Sequence, residues 1–312
     1  MKLNQPKIKV ISSGKYVPPT LITNADLEKM VETSNEWIVT RTGIETRHKA
    51  VDELTSDMAY QAALHAIERV NYDKNKIDLI IMATITGDQM TPSTANFVQS
   101  KLGLTHEVMS FDINAACTGF VYGLEIAAAL LQTKRFRSAL VIGGEMLTKV
   151  VDYTDRNTCV LFGDGAGAMI IEPSELESDA AYFFNAARPD NAGSLTVIHK
   201  IHMDGKKVYQ FAVDVMEDAI GRVLKDANLT IEDIDMIIPH QANERIIQSV
   251  AKSMGIPMDK FMINLKEYGN TSAASIPITI SEYYDQTYTK NKTILLVAFG
   301  GGFTWGSAIL HL

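Results

Sequence analysis

Ile77-Asp78-Leu79-Ile80-Ile81 returns at Ile234-Asp235-Met236-Ile237-Ile238, and the return is not isolated. A helical pattern ending in Glu68-Arg69-Val70 precedes the first copy, and one containing Gly221-Arg222-Val223 precedes the second. Downstream, residues 98–103 (VQSKLG) are matched by 250–255 (VAKSMG). Near the end of each half a Phe-Gly-x-Gly turn, 162–165 and 299–302, leads into a short apolar strand. Features repeated in one order, about half a chain apart, indicate two copies of one unit. The spacing is far longer than the 20–50 residues or so of a solenoid repeat.

The unit itself is an α/β one. Runs of strand length (77–84, 139–143, 234–238, 293–298) alternate with helical patterns (56–70, 117–131, 211–227, 244–254). The strand runs are nearly unbroken Ile, Val, Leu and Met, as expected of strands covered on both faces. No Pro- or Ser-rich linker divides the halves. Residues 172–180 (EPSELESDA) are the best surface junction, which gives halves of 1–172 and 173–312. With 312 residues and 46% hydrophobic content the chain can bury a large core, and disorder or a fibrous fold is excluded. A net charge of -8 argues against nucleic acid. Two cysteines cannot staple a secreted scaffold and fit a cytoplasmic protein. No run approaches the roughly 18 apolar residues of a membrane span. Residues 1–10 lack the apolar stretch of a signal peptide.

Three side chains stand out for chemistry. Cys117 lies between an apolar strand and the helical run 117–131, which is apolar on nearly every side and should be buried. A helix N-terminus favours a thiolate, so Cys117 is either a nucleophile or an inert core residue. Cys159, inside an apolar run, reads as core. His240 directly follows an apolar strand, where clefts form at strand carboxyl ends. It is a catalytic group or a capped structural histidine. Most histidines, as in Arg47-His48-Lys49, sit in polar contexts and read as surface. Asn270 follows Gly269 and precedes small residues: a helix N-cap or an amide donor to an oxyanion. Gly163-Asp164-Gly165-Ala166-Gly167 leads into a strand stopped by Pro173, whereas a phosphate loop opens a helix. Residues 299–303 (FGGGF) form a tight turn whose N–H groups can contribute to an oxyanion hole. No metal-binding motif is present.

Cys, His and Asn in this order resemble the thiolase-fold condensing enzymes, and in particular the 3-oxoacyl-acyl-carrier-protein synthase III family. The matching segments are 33–43 (TSNEWIVTRTG), 115–119 (AACTG), 161–168 (LFGDGAGA), 240–243 (HQAN), 268–275 (YGNTSAAS) and 299–307 (FGGGFTWGS), spread over the whole chain. The resemblance implies a layered αβαβα fold of two duplicated halves. It implies that Cys117 takes an acyl group from acyl-CoA, with the backbone N–H groups of Cys117 and Gly301 as oxyanion hole. Malonyl-acyl-carrier protein then loses carbon dioxide, and His240 and Asn270 hold the resulting enolate. Neither metal nor other cofactor is implied.

Further roles follow from the same resemblance. Trp37 and Arg156 would sandwich the CoA adenine, Arg41 would meet phosphate and Asn243 pantetheine. Thr33 joins this CoA-binding group, and Thr33 with Glu36 fits a capping box at the start of that helix. On the helix after His240, Ile246, Ile247, Val250 and Met254 form an apolar stripe. Arg245, Gln248, Ser249 and Lys252 form the opposite face, with Arg245 and Lys252 as a docking patch for acyl carrier protein. Phe299 and Thr91 would line the acyl pocket, Thr91 from a partner subunit of a homodimer. Many relatives carry an aromatic residue at that position, so Thr91 points to longer or branched primers. Residues 178–204 diverge and carry no assignable contacts. A thiolase is disfavoured because the C-terminal glycine turn has no second cysteine. Synthases of polyketide or quinolone starters stay open, and a non-catalytic nucleotide-binding or scaffold protein is the reading from another class.

Overall fold

The structure, a computed structural model, describes residues 5–287 and 291–312; residues 1–4 of the N-terminal stretch read above lie outside this range. Two sheets organise the chain. The first has the strand order Ile8–Tyr16, Asp164–Pro173, Ser138–Met146, Ile77–Ala83, Met109–Ile113. The second has the reverse reading of the same plan: Met236–Pro239, Thr293–Gly300, Thr304–His311, Tyr182–Ala187. In each, a central parallel pair (77–83 with 138–146; 236–239 with 293–300) is followed by two antiparallel neighbours. A single parallel bridge from Ile237 to Phe261 stands where the first sheet has its fifth strand. The repeated sequence segments therefore occupy equivalent places in two sheets.

Alternation along the strands builds the layers. In the first sheet Ile80, Met82, Leu140 and Ile142 face a cluster with Ala59, Ala62, Ala66 and Val98 of the helices Thr55–Arg69 and Thr94–Lys101. Their neighbours Leu79, Ile81 and Val141 face the other way, onto Phe120, Leu124 and Ala127 of the helix Gly119–Leu131. Leu296, Ala298 and Leu310 of the second sheet enter that same central cluster with Ile276 and Ile280. Leu295, Val297 and Ile309 point outward to Phe211, Val215 and Val250 of the helices Gly205–Ala227 and Glu244–Met254. The stack is helix, sheet, helix, sheet, helix, the expected αβαβα arrangement. Where the halves meet, Gly143 has no room for a side chain: a Cβ there would lie 2.1 Å from the Ala273 carbonyl oxygen.

Several expectations need correction. The helix 211–227 begins at Gly205, because Asp204 caps it by accepting from the Lys207 N–H. The central helix is not buried all round, since Ile126 is 37% exposed. The polar run at 47–49 is not plain surface. Arg47 is fully buried, donating to the carbonyl oxygens of Ile22 and Val160 and to Asn24 Oδ1. His48 stacks on Tyr268 with ring centroids 5.5 Å apart. No helix among the described residues is long and apolar enough to cross a membrane.

Candidate active site

The chemistry-bearing residues converge where the loops after the central strands meet. After the strand Met109–Ile113 the chain makes a 3-10 turn, Ala116–Thr118, and only then enters the helix at Gly119. Cys117 therefore sits in the turn and not in the helix. Ala116 takes φ 48°, a conformation that costs a residue with a Cβ about 1–2 kcal/mol. The turn is held from the other half of the molecule. Thr304 Oγ1 donates to the Ala115 carbonyl oxygen (3.0 Å) and pairs with the Thr118 hydroxyl (3.0 Å). Gly300 lies against the same turn, so closely that a Cβ would stand 2.7 Å from the Cys117 nitrogen.

His240 ends the strand Met236–Pro239, and its N–H donates to the Val297 carbonyl oxygen at 2.8 Å. It is 1% exposed. Its Nδ1 lies 2.7 Å from Ser275 Oγ, and its ring meets Phe299 edge-on at 5.4 Å. Burial lowers its pKa to about 3, so the imidazole is neutral near pH 7. Asn270 lies on a short loop bonded to residues 161–163: its N–H donates to the Leu161 carbonyl oxygen, and its own carbonyl accepts from Gly163 N–H. It does not cap a helix. Its Oδ1 accepts from Ser272 N–H at 2.9 Å, an Asx turn, which leaves the carboxamide NH2 as the end able to donate elsewhere.

Cys117, His240, Asn270, Phe299 and Gly301 all line one cavity of about 1260 Å³. Trp37, Arg41, Asn243 and Arg245 line it toward solvent. The surroundings of Cys117 work against the expected thiolate. Burial pushes the Cys117 thiol up to about 12, the neighbouring Ser272 hydroxyl works against the rise, and the nearby Glu145 charge adds to it. Desolvation outweighs the helix terminus here.

Other residues fall differently from the sequence reading. Ser34, not Thr33, caps the helix Asn35–Thr42, accepting from Trp37 N–H at 3.1 Å; the Thr33 hydroxyl is buried without a partner. Arg41 and Arg156 both stack on Trp37, at 4.7 and 4.8 Å from the ring centroid. A base between Trp37 and Arg156 needs a gap of roughly 7 Å, two stacking distances, so Arg156 closes that slot here. The Asn243 side chain caps its own helix through Arg245 N–H and donates to the Arg41 carbonyl oxygen. Lys252 is exposed and lies away from the cavity, about two helical turns beyond Arg245. Ser249, expected on the same open face, is bonded to the Tyr209 hydroxyl at 2.6 Å. Thr91 is exposed beside the fully exposed Met90 and does not line this chain's cavity.

Sequence reasoning missed three features. Leu195, Ile198, Ile201 and Met203, from the segment left unassigned, form an apolar wall of the cavity. Ser275 orients His240. Glu145, 0% exposed, ends the apolar strand Ser138–Met146 behind Cys117. A lone acid in such a strand was the available signal.

Comparison with known proteins joins this geometry to a family. The family model for 3-oxoacyl-[acyl-carrier-protein] synthase III matches residues 111–187, and that for its C-terminal part matches 224–312. Beta-ketoacyl-[acyl-carrier-protein] synthase III of Acholeplasma laidlawii is 55% identical over 98% of both chains. The chain belongs to the beta-ketoacyl-[acyl-carrier-protein] synthase III family. The Clostridium acetobutylicum member is 46% identical over 97% of this chain and 98% of its own. The crystal structure of the Aquifex aeolicus synthase III superposes with a TM-score of 0.91 at 42% identity, covering 98% of this chain and 100% of that one. As a synthase III this chain is an acyltransferase of the condensing type, with the thiolase fold.

Proposed function

We propose that this synthase III begins type II fatty-acid synthesis with Cys117 as nucleophile and His240 and Asn270 as the pair that stabilises the enolate. Family membership supports the overall reaction: acyl transfer from acyl-CoA, then decarboxylative condensation with malonyl-acyl-carrier protein. The products are 3-oxoacyl-carrier protein, carbon dioxide and CoA. The observation that carries the residue roles is the convergence of Cys117, His240 and Asn270 on one cavity from three loops in both halves.

The geometry suits each step. Attack by Cys117 on the thioester carbonyl develops an oxyanion, for which the N–H groups of Cys117 and Gly301 are the proposed donors. Gly300 packed against the Cys117 nitrogen supports that reading, because it brings the glycine turn to the nucleophile. In the second half-reaction carbon dioxide leaves and negative charge gathers on the malonyl thioester oxygen. A neutral histidine donates one hydrogen bond to it. The Ser275 hydroxyl accepts from Gln241 N–H and lies at His240 Nδ1, which favours the tautomer with its proton on Nε2. The Asn270 NH2, freed by its Asx turn, is the second donor. The carbanion then attacks the acyl-Cys carbonyl. None of these steps calls for a metal or a redox cofactor.

The cavity mouth takes the CoA. Trp37, Arg41 and Arg156 are the adenine and phosphate group, with Thr33 beside the helix of Trp37 and Arg41, its buried hydroxyl open to a partner, and Asn243 near pantetheine. Arg245 and Lys252 are the proposed docking cations for the acidic carrier protein. We propose a cytoplasmic homodimer whose halves divide at 172/173. The edge strand Met109–Ile113, with Met109 41% exposed, and the exposed Ile126 and Met90 are apolar surface suited to a second copy. Thr91 would reach the partner's acyl pocket from that edge. Intact-protein mass spectrometry tests the nucleophile. Acyl-CoA should add one acyl mass to the wild type and none to Cys117→Ala; an adduct on the variant would refute the assignment. Comparing acetyl-CoA with longer esters reads Thr91, where strict acetyl preference would overturn the longer-primer reading.

A further inference from the structure

The strand that carries Glu145 brings a carboxyl group to the back of the nucleophile, and the mechanism above leaves it without a task. Glu145 Oε2 is fully engaged: it accepts from Thr84 Oγ1 (3.1 Å), Ile85 N–H (3.0 Å) and the N–H (3.1 Å) and hydroxyl of Thr86. Oε1 faces a single donor, the Ser272 hydroxyl, at 3.1 Å. Ser272 also lies beside Cys117, on the same cavity, with its hydroxyl proton turned to the carboxylate and its oxygen left to accept. The serine is held there at a conformational cost. It takes φ 51°, with its N–H donated to Asn270 Oδ1, and its turn packs against the 116–118 turn, where Ala116 is also at positive φ. Two strained turns thus meet so that a hydroxyl bonded to a carboxylate stands beside the thiol.

We propose that Glu145, acting through the Ser272 hydroxyl, is the positioning residue that receives the Cys117 proton during acyl transfer. The proposal rests on Cys117 being the nucleophile. As Sγ attacks, its proton passes to Ser272 Oγ while the Ser272 proton passes to Glu145 Oε1. The Sγ–acyl bond forms, the acyl–sulfur bond of CoA breaks, and CoA leaves with the electron pair, taking a proton from water at the cavity mouth. Glu145 then stays protonated through the acyl-enzyme. On condensation the Cys117–acyl bond breaks, the thiolate departs, and the proton returns along the same path. One proton is taken up per turnover, which balances the loss of a carboxylate as carbon dioxide.

The surroundings suit a group that changes charge. Burial lifts the Glu145 carboxyl to about 7 despite its donors, so it exchanges a proton near neutral pH. Among the described residues no lysine or arginine is bonded to it. Cys117 feels its charge, and Asp164 lies one register position along on the paired strand, its carboxylate held by Ala50 N–H and Thr148. The packed helices present alanines, as at Ala59.

The test uses the full-length enzyme, acetyl-CoA and single-turnover acylation followed by mass, alongside alkylation of Cys117 by iodoacetamide from pH 5 to 10. Ser272→Ala cuts the link and leaves the Thr84–Thr86 bonds untouched. Glu145→Gln keeps the shape and removes the proton acceptor. Each should slow acylation about 10²-fold, the ordinary scale of assisted proton transfer. Each should erase the inflection near pH 7 in both profiles, and Ser272→Ala/Glu145→Gln should be no slower than the worse single variant. Wild-type acylation rates in Ser272→Ala, or two losses that multiply with the pH profile unchanged, would overturn the relay. Failure of the wild type to take up an acyl group would instead strike the nucleophile assignment.

Discussion

The floor and the mouth of the cavity are built on opposite principles. At the floor His240 is 1% exposed and Asn270 6%, His240 pinned by a backbone bond to the strand Thr293–Gly300 and Asn270 by bonds to residues 161–163. Their directional groups are already set by Ser275 and Ser272. At the mouth Ile198 is 84% exposed, and Arg41 and Arg156 share the Trp37 ring, with one further bond from Arg156 to the Glu32 carbonyl oxygen. A floor of this kind suits stabilisation of charge that appears only during reaction, since its donors need no reorganisation. A mouth of this kind suits a substrate that enters, leaves and is replaced by another. Damage at the floor should therefore appear in kcat, and damage at the mouth in KM.

The largest effect that sharpens this contrast comes from the enolate pair. His240→Ala and Asn270→Ala should each lower condensation about 10²–10³-fold, the loss expected for one donor to a developing oxyanion. The acyl adduct on Cys117 should persist in both. Loss of the adduct as well would mean that the floor acts as one unit and that the roles are not separable.

Stability against pH probes the same floor. Folded His240 stays neutral down to about pH 3, while an ordinary imidazole takes its proton near 6.5. Between those values the unfolded chain binds more protons, so this contribution is intact above 6.5 and is lost as pH falls toward 3. Glu145 has the opposite sign. Its folded value of about 7 exceeds the ordinary 4.5, so its contribution is full below 4.5 and fades as pH rises through 7. Denaturant titrations should show a shallower acid loss in His240→Gln, on the order of 3–5 kcal/mol over the whole window for a shift this size. They should show a shallower loss between pH 4.5 and 7 in Glu145→Gln. Parallel curves for wild type and His240→Gln would mean that the folded imidazole takes its proton at the same pH as the unfolded one.

The same division governs what the sequence disclosed. The duplication was legible because both sheets repeat a strand of type Ile-Asp-x-Ile-Ile, and burial on both faces leaves nearly continuous apolar runs. Cys117, His240 and Asn270 were legible because each sits where an apolar or glycine segment gives way to polar residues. Partnerships were not legible. Ser272 at φ 51° and the Glu145 carboxyl come together across 127 positions of chain. Arg47 reads as surface because its compensation is carbonyl oxygens from distant loops, which no local pattern announces. The dipole argument for Cys117 named a real force and missed a larger one, burial. The mouth escaped because residues 195–203 form only a two-stranded hairpin, too short for a periodic signal.

The smallest expected effect is at the mouth, and it decides whether the stacked arginines belong to the substrate site. Trp37 carries Arg41 on helical spacing and Arg156 from the turn at 156–159, whose Nη1 also donates to the Glu32 carbonyl oxygen. For an adenine to enter, Arg156 must lift from the ring, give up a contact worth about 0.5–1 kcal/mol at an exposed site, and stack on the base instead. The exchange is nearly even, so the ring orders the slot more than it tightens binding. Trp37→Ala should raise KM for acyl-CoA by three- to tenfold with kcat unchanged, and Arg156→Ala should do less. Acyl-pantetheine, which lacks the nucleotide, should not distinguish the variants from wild type. A fall in kcat with this truncated donor would show that the ring supports the floor and that the two regions are coupled.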